Sequence, residues 1–445
     1  MLLIRNATII NEGASTKGSV LVKNDRIEAI YNGVVPEEIC NRAQIIEAEN
    51  LFLIPGVIDD QVHFREPGLT HKGTIQTESR AAIAGGVTSY MEMPNTNPQT
   101  ITIDAWERKN EYAQDRSYAN YAFYLGATND NLAELKKATS KNLCGIKIFM
   151  GASTGNMLVD DEKALQAIFA EVDMLIATHC EKESVIRKNI DKYKKEFGDD
   201  VPIKYHPLIR SAEACYESSA KAIELADKYG SRLHVLHLST GQEMRLFDSK
   251  PLSEKKITAE VCVHHLWFTD EDYERLGSFI KWNPAIKTER DRYELREALL
   301  ENKLDVVATD HAPHTLKEKE GGALTAASGG PLVQHSLQMM MQLVSQDVFS
   351  KEQVVEKMCH APAKLFGVKE RGFIREGYFA DLVLVNPNKP YTVTKDNILY
   401  KCGWSPLEGE TLSSSIETTI LNGKVVFNNG EVLGEPSGQV LEFVR

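Results

Sequence analysis

With 445 residues and a net charge of −12, the chain is too long for one small domain and too acidic for general affinity to nucleic acid or anionic membranes. Its hydrophobic content of 42% is that of a folded globular protein, and no apolar run reaches the roughly 18 to 20 residues of a membrane span. The opening Met1-Leu2-Leu3-Ile4-Arg5-Asn6 turns polar too soon for a signal peptide, and seven cysteines without a C-x-x-C pair suit a reducing compartment, so a cytoplasmic location is expected.

Residues 1–52 read as short strands (2–4, 7–10, 19–22 and 26–30) broken by polar turns, with Asn32-Gly33 predicted as a hairpin turn. From residue 53 the texture changes. Apolar, β-rich segments recur near 53–63, 87–93, 121–127, 145–150, 174–180, 233–239, 257–268 and 304–311. Helical patterns lie between most of them, as at 161–170, 211–229 and 289–300, and another follows at 331–344. Eight strands alternating with helices predict a (β/α)8 barrel over 53–370; a doubly wound open sheet is the alternative on pattern alone. Residues 371–445 return to strands at 380–385, 418–421 and 425–427, with turns at Asn422-Gly423 and Asn429-Gly430. The two β-rich ends, 1–52 and 371–445, are expected to form one small composite β-sandwich module. The loop 315–330, charged and then Gly-, Ala- and Ser-rich, suits either a lid or a surface loop.

Polar residues gather where the apolar strands end. Alternation along 57–65 puts Gln61, His63 and Arg65 on one face, and Lys147, His179, His237 and Asp310 close four later strands. His234 is the weaker histidine of its strand, earlier and on the opposite face from His237. The C-terminal strand ends of a barrel form its active-site face, so these groups converge on one mouth. Imidazole and carboxylate suit zinc and similar ions. A protonated lysine cannot bind a cation, so Lys147 contributes only if neutral or converted by CO2 into a carbamate.

The stretch 55–68, Pro-Gly-Val-Ile-Asp-Asp-Gln-Val-His-Phe-Arg-Glu-Pro-Gly, resembles the signature of the dihydroorotases within the cyclic amidohydrolases. Later family motifs are resembled by Met93-Pro94-Asn95-Thr96, by Asn283-Pro284 with Arg290-Asp291-Arg292, by 309–314 and, in the closing sheet, by 377–383. The resemblance spans nearly the whole chain. It implies one or two zinc ions held by His63, Lys147 as its carbamate, His179, His237 and Asp310. It also implies a site for the substrate carboxylate at Arg65, Asn95 and His314, with Asn283 near the pyrimidine ring. One position departs: the family has histidine where this chain has Gln61, whose amide oxygen is a poorer zinc ligand.

The reaction implied interconverts N-carbamoyl-L-aspartate and L-dihydroorotate through a zinc-activated water, with Asp310 as general acid and base. Hydantoinases, dihydropyrimidinases and allantoinases share the metal-site pattern but act on neutral rings; Arg65 and Asn95 favour a carboxylated one. Gln61 keeps open an inactive homologue that assembles with aspartate carbamoyltransferase. A homodimer is expected by resemblance.

Overall fold

The computed structural model describes residues 1–139, 141–151 and 157–445. Among them, eight parallel strands follow in chain order: β1 (Val57–Val62), β2 (Val87–Glu92), β3 (Asn120–Gly126), β4 (Leu143–Phe149), β5 (Ile176–His179), β6 (Leu233–Val235), β7 (Ile257–Cys262) and β8 (Val306–Ala308). Each pairs in parallel with the next. The last meets the first just beyond β8, where Val62 bridges His311 and the His63 amide donates to the His311 carbonyl at 2.7 Å. That seam closes the sheet. The fold is the expected (β/α)8 barrel, and the open-sheet alternative falls.

The strands are almost continuously apolar because both of their faces are covered. Ile146 and Ile148 of β4 pack outward with Leu165, Ile168 and Phe169 of the helix Glu162–Glu171. Ile58, Met91, Ala122, Tyr124, Cys144, Ala177, Leu236 and Val306 form a separate cluster inside, closed off by Phe366, Phe373, Leu441 and Phe443. The helices begin where short polar side chains satisfy free amides: Asp161 accepts from Ala164, Ser211 from Ala214 and Thr288 from Asp291. Each such cap is worth about 1 kcal/mol. The segment 257–268 is not all strand. β7 stops at Cys262 and the chain turns into the short helix Val263–Trp267, whose His264 stacks on Trp282 with ring centroids 4.3 Å apart.

Both chain ends enter a second, nine-stranded sheet. Its seam is the strand Phe52–Pro55, parallel to Leu2–Asn11 on one side and antiparallel to Leu382–Asn386 on the other. Gly56 then leads straight into β1; a Cβ there would lie 2.0 Å from Thr88 Oγ1, so only glycine permits this approach. Asn422-Gly423 makes the predicted hairpin turn with both φ angles positive, at 48° and 76°. Asn32-Gly33 does not. It follows the edge strand Arg26–Tyr31, and the chain passes through exposed Val34 and Pro36 into the helix Glu37–Arg42. Proline interrupts any returning strand there. No helix among the described residues is long and apolar enough to cross a membrane.

Candidate active site

A cavity of about 370 Å³ opens at the C-terminal mouth of the barrel. Gln61, His63, Arg65, Asn95, His179, His237, Asn283, Asp310 and His314 all line it. Lys147 lies in the barrel wall, 1% exposed, with no hydrogen-bond partner for its Nζ. The sequence-predicted residues therefore meet at one end of the barrel, although they come from seven well-separated stretches of chain.

Strand irregularity places several of them. The register of β1 against β2 shifts between Asp59 and Val62, so strict alternation does not hold there. Asp59 secures this bulge. It accepts from the Gln61 amide at 3.2 Å and from the Thr309 hydroxyl at 2.6 Å, tying β1 to the end of β8. Arg65, His237 and Asp310 each have positive φ, at 72°, 39° and 45°. Such conformations cost non-glycine residues energy and cluster at functional sites. At His237 the kink breaks the parity of its strand. His234 thus does not point away from the interior, as alternation predicted. Its Nε2 reaches Asp60 Oδ2 across the barrel at 3.1 Å.

Two pairs of side chains face one another along one wall. His63 Nδ1 meets Asn95 Oδ1 at 2.8 Å, and its Nε2 lies 3.1 Å from Asp310 Oδ1. With Nδ1 donating to the amide oxygen, Nε2 turns a lone pair toward another acceptor. His179 Nε2 meets Glu181 Oε2 at 3.0 Å, which leaves its Nδ1 lone pair facing His237 Nε2 at 2.9 Å. Glu181 in turn accepts from Arg210 Nη1 at 2.5 Å. Burial holds all three imidazoles below their ordinary pKa, so they are kept neutral. Burial likewise brings the Lys147 ammonium down to about 8. His237 Nδ1 and Gln61 Oε1 are buried without partners. Lone pairs converging on shared points, an unpaired lysine and a carboxylate behind a histidine fit a divalent cation. Gln61 takes another part. Its Nε2 donates to Asp310 Oδ1 at 3.2 Å, presenting an N–H where a histidine would present a lone pair.

The opposite wall is cationic. Arg65, 6% exposed, donates from Nε to the Pro313 carbonyl at 3.1 Å, and its Nη2 lies 3.1 Å from His314 Nε2. Lys72 donates to His314 Nδ1 at 3.1 Å and pairs with Glu318 at 3.0 Å. His314 Nε2 therefore carries the hydrogen, directed to the Ser328 carbonyl at 3.0 Å. Burial lowers Arg65 to about 10, which leaves it charged at neutral pH. The loop 315–330 supplies Ala327, Ser328 and Gly329 to the rim. It is pinned by Lys319, 2% exposed, which donates to the carbonyls of Ala327 and Gly329 at 2.8 and 2.7 Å. Asn283 Oδ1 is buried and unpartnered on the cavity wall.

Sequence reasoning missed Lys72, Glu181, Arg210, Asp60 and Glu260. Only Glu181 carried a signal, lying two residues beyond His179 at the same strand end. Among the described residues, one group brings three metal-binding side chains within 4.8 Å of one another: Asp60, His234 and Glu260, deeper in the barrel than the mouth.

The amidohydrolase family model matches residues 52–426. An allantoinase from Bacillus velezensis is 30% identical over 96% of this chain and 94% of its own. A dihydroorotase from Methanosphaera stadtmanae is 30% identical over 93% of this chain and 94% of its own; one from Pyrococcus abyssi is 31% identical over 99% and 98%. Among solved structures, the L-hydantoinase from Arthrobacter aurescens superposes with a TM-score of 0.92 at 28% identity, covering 99% of each chain.

Proposed function

The chain belongs to the amidohydrolase family, and on that premise we propose that it is a dihydroorotase, interconverting L-dihydroorotate and N-carbamoyl-L-aspartate in pyrimidine biosynthesis. The observation that carries this reading is the buried guanidinium of Arg65 on the cavity wall, backed by His314 and Lys72. A cavity for a neutral ring has no need to bury that charge, whereas dihydroorotate presents a carboxylate that a guanidinium grips with two parallel hydrogen bonds. His314 and Asn95 complete the carboxylate site, and the free Oδ1 of Asn283 addresses the N–H edge of the ring.

His63, His179, His237, Asp310 and a carbamate on Lys147 would hold one or two zinc ions. The cation supplies a water of lowered pKa and polarises the carbonyl under attack. The chain's own groups do the rest. In the hydrolytic direction Asp310, its Oδ1 engaged by Gln61, takes the water's proton on Oδ2 and delivers it to the ring nitrogen as the C–N bond breaks. The carbonyl carbon gains the hydroxyl and becomes the second carboxylate of the product. Cyclisation reverses each transfer and releases water. Glu181 fixes the orientation of His179, and Arg210 fixes Glu181.

The test is turnover of dihydroorotate, dihydrouracil, hydantoin and allantoin side by side, with protein supplied with zinc and bicarbonate. Dihydroorotate is expected to be opened at least ~100-fold faster than any neutral ring, as befits a site with a buried charge left unpaired by the wrong substrate. Preference for allantoin or hydantoin reassigns the substrate within the family. Failure to open any ring leaves the assembly partner of aspartate carbamoyltransferase.

A further inference from the structure

We propose that Asp60, His234 and Glu260 form a second, inner cation site, sealed inside the barrel beneath the mouth, that takes a zinc-like divalent ion in a structural role. The three side chains come from β1, β6 and β7 and are each 0% exposed. Their donor atoms lie within 4.8 Å of one another.

The hydrogen-bond pattern fixes what each group offers. Thr258 donates its hydroxyl hydrogen to the Leu233 carbonyl at 3.1 Å, so toward His234 Nδ1, 2.8 Å away, it acts as acceptor. Nδ1 therefore carries a hydrogen and Nε2 is the atom aimed at the cluster. Nε2 lies 3.1 Å from Asp60 Oδ2 and 3.9 Å from Glu260 Oε2. Glu260 uses its other oxygen to accept the His237 amide at 2.8 Å, which leaves Oε2 without a partner; Asp60 Oδ1 has none either. Two buried carboxylate oxygens thus stand open beside an imidazole nitrogen.

A proton on His234 Nε2 would serve Asp60 Oδ2 alone and leave Glu260 Oε2 without a partner. A divalent ion balances both carboxylates, accepts the imidazole lone pair and occupies the open oxygens. One imidazole with two carboxylates suits zinc or manganese. Lys147 is the nearby buried amine, and its Nζ hydrogen-bonds to neither carboxylate. The inner site is distinct from the mouth but coupled to it. By holding Glu260, a cation there braces the backbone amide of His237, the residue whose positive φ turns its ring toward His179. With no exposed ligand, the ion enters as the barrel folds and leaves only when it opens. None of this depends on which ring the enzyme cleaves.

The decisive measurement is anomalous diffraction above and below the zinc edge, on full-length protein purified with stoichiometric zinc. The expected result is a peak bounded by Asp60, His234 and Glu260, separate from any peak beside His179 and His237. Anomalous density at the mouth alone, or at neither place, overturns the proposal and leaves a cluster held by protons. Elemental analysis gives a second readout. Chelator dialysis of native protein is expected to leave one zinc per chain, removed only after denaturation. Glu260→Gln is expected to lose that retained equivalent while His179→Ala keeps it. Complete stripping of the native wild-type protein by chelator sinks a sealed site.

Discussion

The two walls of the mouth cavity differ in how far their polar atoms are already satisfied. Along the cationic wall Arg65 and His314 donate to nearby carbonyls, and Lys72 donates to His314 and pairs with Glu318. Along the imidazole wall Lys147 Nζ, His237 Nδ1 and Gln61 Oε1 are buried with nothing to bind. A buried polar atom without a partner costs about 1–3 kcal/mol, so the second wall is complete only with something added. The first is built in advance to receive a charge. On the function proposed, reaction belongs to one wall and recognition to the other, and variants on each side should fail differently.

The largest effect falls on the reacting wall. Asp310→Asn keeps the Gln61 and His63 contacts nearly isosteric but removes the proton carrier, and kcat for dihydroorotate is expected to fall about 10³-fold. Retention of most activity takes Asp310 out of the proton path. Arg65→Met is expected to raise KM roughly 100-fold with zinc content unchanged, since a charged hydrogen-bonded contact is worth about 1.5–3 kcal/mol. A loss of zinc in that variant would show that the two walls are not separable. Glu181→Gln weakens the support behind His179, and zinc affinity measured by competition with a chelator is expected to drop some tens-fold; an unchanged affinity removes the support role. The smallest effect is one of pH. Carbamate formation needs the neutral amine, and Lys147 is brought down to about 8 by burial. The neutral fraction therefore rises as pH rises through that value, by roughly tenfold between pH 7 and 9. With dissolved CO2 held constant, reactivation of CO2-depleted enzyme should accelerate by that factor, and a rate flat across the range breaks the link to Lys147.

What the sequence made legible follows from regularity. Eight apolar segments announce a barrel because strands buried on both faces must be apolar nearly throughout. Polar residues at their ends stand out because folding gives no reason for them. His234 was misplaced, and Asp60 passed over, for the complementary reason. Alternation assigns faces only along a regular strand, and the bulge between Asp59 and Val62 and the positive φ of His237 both break the count. Lys72 and Arg210 reach the cavity from connecting segments, where neither a period of two nor one of 3.6 operates. Asn32-Gly33 was read as a hairpin turn on local chemistry alone, but a turn makes a hairpin only if a second strand follows.

The strand Phe52–Pro55 carries a consequence for the order of synthesis. While a ribosome is still extending the chain, this strand meets Leu2–Asn11 at only Thr8 and Ile9 and has no neighbour on its other side. The β1–β8 seam needs nothing beyond His311, whereas the missing neighbour, Leu382–Asn386, emerges some seventy residues later. A nascent barrel can therefore close before its companion sheet does, leaving Leu53 and Ile54 on a bare edge open to pairing with other chains. A stalled or truncated product ending before residue 382 would keep that edge bare.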